Sequence, residues 1–127
     1  MIYLRGLTDL YWNLRKRIQR CIRGYAWEDV WNIDAWFIDT LEPMLRHLQK
    51  HHHSYPMRYT SEEWEERLGK MADHLHLMDE WNVEEECFDT DCSEGIIAKS
   101  KRIYDIMDKN KEEFLKMFAE DFYDFWD

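Results

Sequence analysis

Between residues 24 and 56 the apolar positions advance in alternating steps of three and four. Trp27, Val30, Trp31, Phe37, Ile38, Leu41, Met44, Leu45 and Leu48 fall along one side of a helix. Ile33 and Trp36 widen that stripe, as expected of a helix with neighbours on more than one side. The pattern predicts a central helix carrying its indoles inward. Pro43 lies inside it and cannot donate to the carbonyl of Asp39, which predicts a kink near residues 40–42.

Three further segments show the same period. Residues 8–22 place Leu10, Tyr11, Leu14, Ile18, Cys21 and Ile22 inward, with Thr8 as N-cap and Gly24 closing the helix. Thr60 followed by Glu63 is a capping box, and Trp64, Leu68, Met71, Leu75, Met78 and Trp81 continue from it as a helix face. A last helix is expected from Ser93 to the C-terminus, with Ile97, Tyr104, Met107, Phe114, Phe118, Phe122 and Phe125 on one side. Its final aromatics either close the core or form an acidic, aromatic hook; the unbroken spacing favours closure.

Four glycines and two prolines are few punctuation marks for 127 residues, and β-branched runs are scarce. The expected fold is therefore all-α: residues 1–127 as a single domain, a bundle of four main helices with the second kinked at Pro43. No apolar run approaches the roughly 20 residues of a membrane span, and no secretory leader pattern is present, so a soluble, unexported, cytoplasmic protein is expected. The odd set Cys21, Cys87 and Cys92 fits a reducing compartment better than a disulfide framework.

The net charge is −10, and it is unevenly spread. Residues 1–24 carry six basic side chains against Asp9 alone, so a basic first helix precedes an acidic body. Docking of that helix on the protein's own acidic helices accounts for both halves with one contact. Direct nucleic-acid binding is disfavoured, because a polyanion is repelled by most of the surface.

Several residues invite a chemical reading. Asp34 interrupts the apolar stripe between Trp31 and Phe37; a buried carboxylate requires a partner, and a structural ion pair with Arg23 or Arg20 is expected over a catalytic role. His47 and His51, four apart, are spaced to share a metal with His52 or His53, though a histidine tract at a helix C-terminus is more often a solvated end. Cys87 and Cys92 lack a second pair and are expected as free thiols. Residues 79–94 contain eight acids and no base, the composition of a solvated linker or helix end. Within this stretch Glu84, Glu85, Glu86, Asp89 and Asp91, with Trp81, form the expected partner-binding set. Glu62, Glu63 and Glu66, with Glu86 and Asp89, also resemble the magnesium-binding carboxylate pairs of the all-α MazG-like nucleoside triphosphate pyrophosphatases. That likeness implies a metal-dependent hydrolase as the enzymatic alternative. No cofactor is expected.

The motifs RGYAWEDVWNIDAWFIDTLEPMLRHL, a YP turn, TSEEWEERLGKM and KMFAEDFYDFWD together resemble an uncharacterised family of small helical proteins encoded by phages and prophages. Ala26 occupies the position of the family's usual capping residue, and Phe125 stands where leucine is common. The resemblance implies a bacterial host cell as the setting and carries no activity. In that setting three functions are expected in order. The first is a non-enzymatic accessory protein binding a protein partner, such as a basic nucleic-acid-binding host protein, as an anti-defence (anti-CRISPR-like) inhibitor that mimics nucleic acid. The second is a virion or packaging component acting as a homo-oligomer, and the third is the MazG-like hydrolase.

Overall fold

A computed structural model describes residues 2–88 and 95–126, and every regular element in them is helical. In order these are α1 (Ile2–Arg23), a 3-10 helix (Trp27–Trp31), α2 (Ile33–His51), α3 (Ser61–His76), α4 (Glu80–Cys87) and α5 (Ile96–Glu120). The chain divides into two compact units, Met1–Phe37 and Ile38–Asp127.

In the first unit α1 begins well before Thr8. The Thr8 hydroxyl donates back to the Leu4 carbonyl at 2.7 Å, so it is an interior helix residue and not the expected cap. Gly24 ends the helix as expected: its φ of +84° is a conformation open to glycine, and its N–H reaches the Arg20 carbonyl at 2.9 Å. Beyond it the expected central helix does not form at once. Asp29 accepts the Ala26 N–H at 2.8 Å and is gripped by Arg20 through Nε at 3.0 Å and Nη2 at 2.7 Å, while Gln19 accepts the Trp27 N–H at 2.9 Å. These side-chain bonds satisfy the backbone without an α-helical ladder, so residues 27–31 wind as a 3-10 turn and α2 starts only at Ile33. Trp27 and Trp31 are consequently 52% and 72% exposed. The expectation of inward-facing indoles is corrected here.

In the second unit the centre is α3. Trp64, Leu68, Met71, Ala72 and Leu75 are each fully buried, and Ile38 and Leu45 of α2, Val83 of α4 and Ile103 and Phe114 of α5 complete the buried apolar set. The capping box starts α3 as the sequence predicts: Glu63 N–H donates to the Thr60 hydroxyl at 3.2 Å, and Thr60 N–H to the Glu63 carboxylate at 3.1 Å. α3 and α4 both pack on α5. A Cβ on Gly69 would lie 2.6 Å from Gln49 Nε2, the far end of a flexible side chain that would have to move aside. α2 remains helical through Pro43.

Two departures from the expected four helices follow from local polar chemistry. The acidic stretch does not stay open: Asp79 caps Asn82 N–H at 3.3 Å, Val83 is buried, and Lys99 donates to Glu84 at 2.8 Å, which together make α4 a fifth α-helix. α5 stops at Glu120 instead of running to the C-terminus. Asp121 is fully buried there, accepting from Arg58 at 3.1 Å, from the Tyr59 hydroxyl at 2.8 Å and from Arg67 Nε. Arg58 also bonds Asp124, and Arg67 reaches Glu120 at 2.6 Å. The expected start of α5 at Ser93 lies outside the described residues; α5 begins at Ile96 with Gly95 as N-cap.

Above this network an aromatic series runs Tyr59, Trp64, Phe125, Phe118, Phe114. Successive ring centroids lie 5.7, 5.9, 5.3 and 5.3 Å apart. The C-terminal aromatics therefore divide. Phe118 and Phe125 close the core, whereas Phe122, Tyr123 and Trp126 are 55%, 88% and 61% exposed.

Candidate functional site

The expected acidic surface is built on α4. Its single buried residue, Val83, fixes the helix, and Lys99 and His76 hold its C-terminal half through Glu84 and Glu86, each at 2.8 Å. His76 also meets Glu42 of α2 at 2.8 Å through its other ring nitrogen, so α2, α3 and α4 converge on one imidazole. Glu80 and Glu85 are left exposed, and Trp81 between them is 78% exposed. Asp89 and Asp91, the remaining members of the expected set, lie outside the described residues. The arrangement is an indole fixed on a helix among carboxylates, suited to contact with a cationic surface bearing an apolar recess.

A second feature in the same unit is an apolar groove of about 620 Å³. Leu41, Met44 and Leu48 of α2 form one wall, and Phe118, Phe122 and Trp126 form the other. Its residues were legible as two helical stripes. That the stripes face each other across an open slot was not, because it depends on Asp121 drawing the chain end back toward α3. A polar pocket of about 500 Å³ lies between α3 and α5, lined by Glu63, Glu66, Lys70, Glu113, Lys116 and Glu120 among others. Acids and bases alternate there, which makes it a mixed-charge surface and not a phosphate cradle.

The other sequence-derived sites fall as follows. Asp34 is exposed in the first turn of α2, where the helix N-terminus favours an acid, and it is not paired with Arg23. Arg23 donates instead to the Tyr25 carbonyl at 3.1 Å and lies over the Tyr25 ring. An ion pair in this unit joins Arg20 and Asp29, and the Arg20 hydrogen bond holds the Asp29 carboxyl pKa down to about 2. The shift from Asp34 to Asp29 has a simple cause: the 3-10 turn rotates Asp29, not Asp34, toward α1.

The His47 and His51 rings lie tilted at 44° to each other with centroids 4.8 Å apart, and His52 turns away to Glu65 at 3.0 Å. Among the described residues no group of three His, Cys, Asp or Glu side chains is disposed to hold a metal ion. Of the carboxylates in the pyrophosphatase-like pattern, Glu63 caps α3, Glu66 pairs with Lys70 at 3.1 Å and Glu86 pairs with His76; Glu62 and Glu63 both belong to the first turn of α3, and Asp89 lies outside the described residues. Cys21 and Cys87 are exposed free thiols, and Cys92 lies outside the described residues.

The Arg58–Arg67–Tyr59–Asp121 cluster went unseen in the sequence. In a linear reading Asp121 is one more acid opposing a helix dipole, and nothing local marks it as the counter-charge to arginines more than fifty positions away.

The fold and these surfaces define an all-α protein whose exposed features are an acidic, tryptophan-bearing helix and an apolar groove. No family model matches the chain, and neither a curated protein nor a solved structure is similar to it. Among the described residues no helix is long and apolar enough to cross a membrane.

Proposed function

We propose that this protein is a non-enzymatic binding protein that engages a basic protein partner through α4, acting inside a bacterial host as a phage-type accessory factor. The observation that carries the reading is Trp81, 78% exposed on a helix whose neighbouring side chains Glu80, Glu84, Glu85 and Glu86 are all acids. An exposed indole is what the centre of a protein interface uses as an anchor, and surrounding carboxylates steer a cationic partner and select against anionic ones. A nucleic-acid-binding channel offers that combination of positive charge and apolar floor, so the acidic helix takes the place of a phosphate backbone. The phage-type motifs of the sequence support the cellular setting, and an anti-defence inhibitor is the role that joins the two.

The experiment is competitive capture. Immobilised protein is exposed to bacterial extract, and retained proteins are challenged with duplex DNA and with salt. Retention that is displaced by DNA, collapses with ionic strength and is lost in Trp81→Ala and Glu85→Lys supports the reading. Retention indifferent to DNA, salt and both substitutions rejects it.

A further inference from the structure

We infer that Trp81 and Glu85 of α4 form a seat for a guanidinium, so that the basic partner is recognised through an arginine and not a lysine. The inference rests on the reading of α4 given above and names the group that helix captures. Trp81 is 78% exposed, and among the described residues no cation lies over its ring. Glu85 follows it by four positions on the same helix, which places the two side chains next to each other on one face. Glu80 and Glu85 have no ion-pair partner among the described residues, whereas Glu84 and Glu86 are taken by Lys99 and His76.

Other parts of the chain show what a ring beside a carboxylate holds. The guanidiniums of Arg58 and Arg67 each lie 5.4 Å from the Tyr59 centroid, and both donate at the same time to Asp121. Arg23 covers Tyr25 at 4.7 Å and Arg15 covers Trp12 at 5.1 Å. At the C-terminal end of α4 the Phe88 ring takes Arg102 at 4.9 Å and Lys99 at 5.8 Å, and Lys99 also reaches Glu84. Among the described residues Lys99 is the one ammonium in this series, although the sequence holds nine arginines and eight lysines. The physical reason is shape and hydration. A guanidinium is planar and weakly hydrated, so it lies flat on a ring while its N–H groups fork onto a carboxylate; an ammonium is compact, keeps its water and meets either group as a point charge. Indole offers a cation the best of the aromatic faces. Trp81 with Glu85 therefore repeats the chemistry of Tyr59 with Asp121 on an outward face. The cations that α5 brings to α4, Lys99 and Arg102, sit on Phe88 at the other end of the helix, so the cation for Trp81 comes from the partner.

The test compares an oligoarginine with an oligolysine of equal length, each titrated into the full chain at low salt and followed by calorimetry. The oligoarginine is expected to bind about fivefold more tightly, the scale of one exposed cation–ring contact. Trp81→Leu keeps an apolar side chain and removes the π face, and it should bring the two peptides to equal affinity. Glu85→Gln should weaken the oligoarginine more than the oligolysine, because it removes the acceptor of the fork. Circular dichroism of both variants should match wild type, since both side chains are exposed. Wild type that binds the two peptides equally, or an arginine preference that survives Trp81→Leu, overturns the inference and leaves the cationic-partner reading standing. Binding of neither peptide rejects that reading, and the inference with it.

Discussion

Asp121 has no exposed surface, yet it carries a carboxylate into the interior of the second unit, where Arg58, Arg67 and Tyr59 converge on it. Removing one member of a buried charge cluster leaves the others desolvated and unmatched, which costs more than the pair contributes when intact. Asp121→Ala is therefore expected to lower stability by about 3 kcal/mol in urea unfolding. Arg58→Ala, at a side chain 53% exposed, should cost no more than about 1 kcal/mol. Trp64 gives the apolar counterpart: fully buried between Tyr59 and Phe125, it should cost about 3–5 kcal/mol when cut to alanine. Trp31→Ala should stay within about 0.5 kcal/mol, because that indole is already 72% exposed. Reversal of this order in chemical denaturation would return the centre of the fold to residues 27–31.

At the level of elements, two junctions rest on identifiable chemistry. Gly24→Ala forces a Cβ into a left-handed conformation and should cost about 1 kcal/mol, although no atom lies in the way of that Cβ. The joint between α1 and the 3-10 helix depends on an ionised Asp29. Because its folded pKa is depressed to about 2 from 3.8, its contribution is present above pH 4 and fades as pH falls from about 4 to 2. Circular dichroism of Arg20→Ala should lose that acid-side transition, and a transition that persists unchanged would refute the assignment. The alkaline side has the opposite sign. Burial and then the hydrogen bond to Asp121 raise the Tyr59 pKa, so its contribution is intact below about 10 and declines as pH climbs beyond it toward the raised value. Tyr59→Phe should flatten that decline.

These same junctions show what the pattern of the chain did and did not reveal. The start of α3 was legible, because its capping box and its apolar spacing point to the same helix; its end was not, since the spacing runs on to Trp81 whereas the helix stops at His76 and Trp81 stands 78% exposed on α4. The stretch 24–32 was misread, because the apolar period continues through it while Gln19, Arg20 and Asp29 redirect its backbone. α4 was misread for the converse reason: a run of acids hides one buried valine and two ion pairs from other helices. Periodicity records which side chains are apolar. It does not record which polar groups find each other after the chain has turned.

For the molecule as a whole, the two units differ in what sustains them. Ile38–Asp127 contains nearly all the fully buried apolar side chains, whereas the only such residue of Met1–Phe37 is Ala26 among the described residues. Local stability follows buried contact, so amide hydrogen exchange should find α3 the most protected helix and α1 the least. Protection equal in α1 and α3 at all concentrations would contradict the division.

The uneven wetting of the tryptophans also determines how this protein will report on itself. Six indoles contact solvent and one does not, so steady-state emission should be red-weighted in the native state and should move little on unfolding. A ligand that covers Trp81 or Trp126 should instead shift the spectrum to the blue and shield it from acrylamide, which turns the protein's own fluorescence into a label-free titration of whatever it captures.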